Sequence, residues 1–102
     1  MQYRSLGRSG LRVSEISLGS WLTYGATVDV AAASRIVACA LELGINLFDT
    51  ADVYANGAAE ESLREALRGV ARHKVVIATK AFFPMSDDVN DRGLSRKHLF
   101  ES

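Results

Sequence analysis

The chain has 102 residues, 48% of them hydrophobic, with 12 basic and 12 acidic side chains and no formal net charge. That is the composition of an ordinary globular protein, and it supplies no charge excess for nucleic acid or membrane surfaces. No run reaches the roughly 18 apolar residues of a spanning helix. The N-terminus lacks a basic-then-apolar leader, and Cys39, the single cysteine, excludes an internal disulfide. The expected setting is therefore the reducing cytoplasm.

Residues 3–13 read as a β-hairpin. Tyr3 to Leu6 and Leu11 to Val13 flank Gly7-Arg8-Ser9-Gly10, whose glycines tolerate positive φ. Such a hairpin suits the bottom of a barrel. Ile16 to Leu18 is the first parallel strand. A loop follows from Gly19 to Val28, carrying Trp21 and Tyr24. Asp29 is placed to cap a helix. Ala33, Ile36, Val37, Ala40 and Leu41 repeat at helical spacing on one apolar face. Cys39 lies on that helix and is expected to pack as an inert thiol. Gly44 stands where a helix C′ residue belongs.

The second strand is read as Ile45 to Phe48. A loop through Asn56 and Gly57 leads to a second helix, with Leu63, Ala66, Leu67 and Val70 inside. Its charged residues lie outside, with Glu60 and Arg64 as a neighbouring opposite pair. The third strand, Val75 to Thr79, is continuously apolar, as buried parallel strands are. Residues 81–94 form a long loop with Phe82, Phe83 and Pro84, and another helix starts within residues 95–102. His73 and His98 are both read as surface residues.

Gly19, Asp49 and Lys80 close the three apolar runs and stand 30 and 31 residues apart. An eight-unit barrel of roughly 250 residues gives about 31 residues per βα unit. The fold class is therefore α/β, the N-terminal portion of a (β/α)8 TIM barrel with an N-terminal hairpin and about three βα units. A complete small three-layer domain is the alternative. Barrel chemistry sits at the carboxyl ends of the strands, where these three residues fall.

A buried strand that ends in an unpaired charge is costly. Two such strands in succession suggest that Asp49 and Lys80 meet. Tyr54 lies within reach of the same end. A phenol has a pKa of about 10, and an adjacent ammonium favours its ionised form. Lys80 would tune Tyr54 downward, Asp49 would hold Lys80, and Tyr54 would be the proton donor. Each residue also has a plainer reading: Asp49 as a turn cap, Tyr54 as a packed loop aromatic, Lys80 as a solvated lysine.

Three further groups carry less. Phe82, Phe83 and Trp21 suit an apolar substrate wall and ordinary packing equally well. Asp87, Asp88 and Asp91 form a solvated loop rather than a cation site, because the EF-hand pattern is missing, and no metal ligand set is assigned. Arg96 and Lys97 read as an exposed helix face. No Gly-x-Gly-x-x-Gly occurs, so a Rossmann cofactor site has no support.

The stretch from Gly44 through Asp49 to Tyr54 resembles the signature of the aldo-keto reductases. The opening Tyr3 to Ser14 does so as well. Gly19-Ser20-Trp21-Leu22-Thr23-Tyr24-Gly25 and Gly93-Leu94-Ser95-Arg96-Lys97-His98 look like the branch that contains the voltage-gated potassium channel β subunits and their bacterial relatives. The resemblance implies NADPH-dependent reduction of aldehydes or ketones on a (β/α)8 barrel. It places Asp49, Tyr54 and Lys80 in a catalytic group with a fourth residue, and Gly19, Ser20, Trp21 and Asp49 near the nicotinamide. The fourth residue, His or Asn, follows the fourth strand in that family. It implies a small carbonyl substrate, and a homo-oligomer or a channel as a further partner. On this reading residues 1–102 are a partial NADP-dependent oxidoreductase domain, truncated at the start of its third helix and inactive alone. A rival reading is an NADPH-sensing, channel-associated subunit with vestigial catalysis.

Overall fold

The computed structural model describes residues 1–21 and 27–102. Tyr24 and Gly25, and with them most of the loop motif after the first parallel strand, lie outside the described residues.

The chain opens with the expected hairpin. Strands β1 (Tyr3–Ser5) and β2 (Arg12–Ser14) pair antiparallel, with Arg4 opposite Val13. Gly7 and Gly10 take φ of 55° and 81° in the turn. The hairpin is latched to the chain around residue 46. The Ser14 amide donates to Asn46 Oδ1 at 2.8 Å, and the Asn46 amide donates back to Ser14 Oγ at 3.1 Å. Asn46 Nδ2 donates to the Arg12 carbonyl at 3.0 Å.

Helix α1 (Val30–Glu42) has the ends its sequence dictates. Asp29 Oδ1 accepts from the Ala32 amide at 2.7 Å, satisfying one of the orphan donors of the first turn. At the other end the Gly44 amide donates to the Leu41 carbonyl and the Ile45 amide to the Ala40 carbonyl, a Schellman motif. Gly44 sits at φ 84°, and a Cβ there would stand 2.9 Å from the Tyr3 hydroxyl. That hydroxyl donates to the Gly44 carbonyl at 2.7 Å, so the close approach needs glycine.

Strands β3 (Leu18–Gly19), β4 (Leu47–Asp49) and β5 (Val76–Ala78) form one parallel sheet in that order. Helix α2 (Ala58–Ala66) connects β4 to β5, and a short helix α3 (Arg96–Glu101) follows the long loop. One face of the sheet is covered by the helices. Phe48 is wholly buried there against Ala33, Val37, Ala40, Ala59, Leu63 and Val75. Full burial of such a side chain is worth roughly 1.5–3 kcal/mol. Because strand side chains alternate, Leu47 and Asp49 face the opposite side of the sheet.

Several expectations need correction. The first parallel strand is Leu18–Gly19 rather than Ile16 to Leu18, and Ile16 is 60% exposed. The Ser14 hydroxyl donates to the Ile16 carbonyl and bends the segment away from the ladder. The second strand begins at Leu47, because the Ile45 amide closes the end of α1. The third is shortened to Val76–Ala78. Leu67 and Val70 lie beyond the end of α2 yet still pack against the core. Cys39 is exposed, on the side of α1 turned away from Val37 and Phe48. Glu60 does not pair with Arg64. Arg64 meets Glu61 and Glu65, while the Thr79 hydroxyl donates to Glu60. Among the described residues no helix is long and apolar enough to cross a membrane.

Candidate functional site

Parallel pairing places Gly19, Asp49 and Ala78 at one level across the three strands. Backbone bonding continues past them. The Ser20 amide donates to the Asp49 carbonyl at 3.0 Å, the Thr50 amide to the Ala78 carbonyl at 2.8 Å, and the Asp52 amide to the Lys80 carbonyl at 3.1 Å. This extended ladder holds Lys80 opposite residues 50–52.

The Lys80 ammonium then reaches three acceptors. It donates to Asp49 Oδ1 at 2.8 Å, to the Thr50 carbonyl at 2.7 Å and to the Tyr54 hydroxyl at 3.3 Å. An ammonium has three hydrogens, and these partners account for all of them. Partial burial pulls the Lys80 pKa down. The hydrogen bonds and charge attraction of Asp49 and Tyr54 outweigh it, so the net displacement is upward. The pair is open to water, with the Lys80 and Asp49 side chains 51% and 40% exposed. As an ion pair it adds little stability.

Tyr54 begins a tight 3₁₀ turn, Tyr54–Gly57. Within it Ala55 and Asn56 both take left-handed backbone, at φ 50° and 51°. For alanine this conformation costs roughly 1–2 kcal/mol. The strained pair folds the chain directly into α2 and leaves Tyr54 against the core's edge, half-buried. Its ring lies 6.3 Å from that of Trp21, tilted by 31°. Lys80 Nζ stands 4.9 Å from the Tyr54 centroid. The sequence reads this stretch as an ordinary loop, since alanine gives no sign of positive φ.

The residues expected around a nicotinamide divide by environment. Gly19 is exposed, and a Cβ built on it would meet no atom within 4 Å. Trp21 is 66% exposed beside Tyr54. Ser20 is buried, and its hydroxyl donates to the Asp49 carbonyl at 3.1 Å. An open glycine backbone and an exposed indole beside the Lys80–Tyr54 pair fit a flat heteroaromatic ring. Phe82 and Phe83, just past Lys80, form an edge-to-face pair at 5.6 Å and are both exposed.

One residue contradicts its expected surface place. His98 is buried, at 1% exposure. Its Nε2 lies 3.9 Å from Asp52 Oδ2 and 3.3 Å from Ser102 Oγ, and its Nδ1 lies 3.6 Å from Asp91 Oδ1. The helical start at Ser95, whose hydroxyl accepts from the His98 amide, aims the ring inward between two loops. Asp52 comes from a loop far away in sequence, and Asp91 from the loop just before α3, so the pattern of the helix itself could not show the burial. His73 is exposed, as read. Arg96 lies over the Phe100 ring and Lys97 pairs with Glu101 on the outer side of α3. Among the described residues no cluster of His, Cys, Asp or Glu is placed to hold a metal ion.

Comparison with known proteins shows the family to which the chain is similar. The sequence profile of the Aldo/keto reductase family matches residues 15–102. Two proteins described as probable voltage-gated potassium channel subunit beta are each 50% identical to the chain over 103 residues. They come from Arabidopsis thaliana and Oryza sativa subsp. japonica. The match covers 99% of this chain and 31% of each of theirs. An aldo-keto reductase from Bacillus halodurans, in its holo form, matches with a TM-score of 0.71 and 39% identity. That alignment spans 86% of this chain and 29% of the other. The chain thus spans about a third of the length of the curated relatives it matches.

Proposed function

The chain belongs to the aldo/keto reductase family, and on that premise we propose that the whole protein reduces aldehydes or ketones to alcohols with NADPH. Its hairpin and parallel β3-α1-β4-α2-β5 run are the N-terminal portion of a (β/α)8 barrel. Membership makes the protein an oxidoreductase in kind. The narrower reading rests on one observation: the Lys80 ammonium touches both Asp49 and Tyr54, at 2.8 and 3.3 Å.

NADPH, when bound, supplies the hydride that the carbonyl carbon accepts. The protein's own residues handle the proton. Tyr54 Oη gives its proton to the carbonyl oxygen as the carbon is reduced, and solvent later restores it. Lys80 steadies the negative charge left on the Tyr54 oxygen. Asp49 and the Thr50 carbonyl hold Lys80 in place. Gly19, Ser20, Trp21 and Asp49 would hold the nicotinamide end of the cofactor, and Trp21 and Gly19 present open surface for it. The site's half-exposed state lets a small carbonyl compound enter beside Tyr54. The proposed setting is the cytoplasm.

A second reading is favoured by the 50% identity to proteins described as potassium channel β subunits. In it the protein binds NADPH and docks on a channel, and catalysis is slow.

The test is NADPH oxidation by the whole protein with an aromatic aldehyde, before and after Tyr54→Phe. General acid catalysis contributes about 10²–10⁴-fold, and the variant should lose that much in kcat. A Tyr54→Phe protein that retains half its activity would sink the assignment. Turnover far below one per second, in the intact protein with every carbonyl tried, would favour the channel-subunit reading.

A further inference from the structure

The proton-transfer reading makes no use of His98, which is the largest polar side chain buried in the described structure. Its surroundings are unusual. Asp52 is 5% exposed, and its Oδ2 is buried without a hydrogen-bond partner among the described residues. A buried carboxylate oxygen left in that state is costly. The nearest ring nitrogen, His98 Nε2, lies 3.9 Å away, beyond direct hydrogen bonding but within range of charge attraction or one bridging water.

Asp52 is also the joint of the proposed site. Its backbone amide donates to the Lys80 carbonyl at 3.1 Å. Its other carboxylate oxygen accepts from the Val53 amide at 2.6 Å, one residue before Tyr54. The carboxylate therefore faces α3 on one side and fixes the Lys80–Tyr54 junction on the other. On its opposite edge the His98 ring faces Asp91, which sits in a loop closed on itself by the Gly93 amide donating to the Phe82 carbonyl at 2.8 Å.

We infer that His98 is a positioning residue: by holding the Asp52 carboxylate inside, it fixes the junction at which Lys80 and Tyr54 meet. This rests on the proton-transfer reading of those two residues. Without the ring, the Asp52 carboxylate has no polar partner on its buried side. Its favoured response is to turn toward water, which weakens the bond from its amide to Lys80. The far end of the sheet has no part in this, because Asn46 and the hairpin hold it independently.

The experiment is amide hydrogen exchange on the intact protein, with His98→Asn and His98→Gln. The probes are the Asp52 amide and, as reference, the Val76 amide, which donates to the Asn46 carbonyl at 2.7 Å at the other end of the strands. Asparagine is too short to reach Asp52, whereas glutamine keeps a donor within reach. His98→Asn should speed exchange at Asp52 about tenfold relative to Val76, because the bond from the Asp52 amide to the Lys80 carbonyl weakens. His98→Gln should stay close to the unmodified protein. In the aldehyde assay His98→Asn should lower kcat by a similar factor and leave KM for the carbonyl unchanged. Equal acceleration at both amides, no acceleration at either, or loss of the fold in both variants would overturn the inference. Absence of turnover in the unmodified protein would instead overturn the reductase reading, and the exchange comparison would still decide the role of His98.

Discussion

The two ends of strand β4 are built on opposite terms. At its start, Asn46 is neutral, and its side chain takes one bond from Ser14 and gives one to Arg12. Among the described residues, the hydrogen bonds that join the strand start to the hairpin run between uncharged groups. At its finish, Asp49 is charged and half-exposed, and it relies on a lysine from the neighbouring strand. The next residues are a strained turn at Ala55 and Asn56. The first end holds the fold together. The second keeps charge, solvent access and strain, which cost stability and are useful for moving a proton.

The largest expected effect breaks the comparison at the charged end. Lys80→Met should lower kcat/KM for aldehyde reduction at least about 10²-fold, the lower range for lost acid–base assistance. Its unfolding midpoint should move little, because exposed ion pairs contribute only about 0–1 kcal/mol. A large loss of stability with activity kept would reverse the contrast.

Asn46→Ala tests the neutral end. It leaves the Ser14 amide and the Arg12 carbonyl without their side-chain partners, and chemical denaturation should show a loss of roughly 1–3 kcal/mol. The activity of the folded fraction should be unchanged. A smaller effect comes from the turn. Ala55→Gly removes a left-handed alanine strained by roughly 1–2 kcal/mol and adds glycine's flexibility penalty of roughly 0.5–1 kcal/mol. The net should be a slight stabilisation, seen as a rise in the unfolding midpoint. A fall would show that the turn is not strained.

The smallest effect is in pH dependence. The folded-state pKa of Lys80 is raised by Asp49 and Tyr54 against the opposing pull of partial burial. Its contribution to stability is therefore complete below the ordinary lysine value of about 10.4 and fades as pH climbs through the higher folded value. The stability difference between the unmodified protein and Lys80→Met should shrink above that pH. A difference that grows there would contradict the sign.

How much of the molecule is legible in the sequence depends on how local each signal is. The Asp29 cap, the Gly44 terminus and the hairpin glycines act within a few residues of themselves, and all hold. Asp49 and Lys80 are legible because parallel strands bring their carboxyl ends to one level, so a repeat of about 31 residues becomes a spatial contact. His98 defies its surface reading because its burial depends on Asp52, which arrives from a distant loop, and on how the long loop carrying Asp91 folds back over it. Cys39 defies its buried reading because helical spacing alone does not separate the buried edge of α1, at Val37 and Ala40, from its neighbour. The strain at Ala55 has no sequence signal, because it is imposed by the immediate start of α2 after Gly57.

The central claim is that Asp49, Lys80 and Tyr54 act as one unit. The most direct test is kcat for Tyr54→Phe, Lys80→Met and the double variant in the whole protein. Groups that act as a unit are strongly non-additive. The account predicts that the double variant is no slower than Tyr54→Phe alone. Losses that multiply in full would show two independent residues and contradict it.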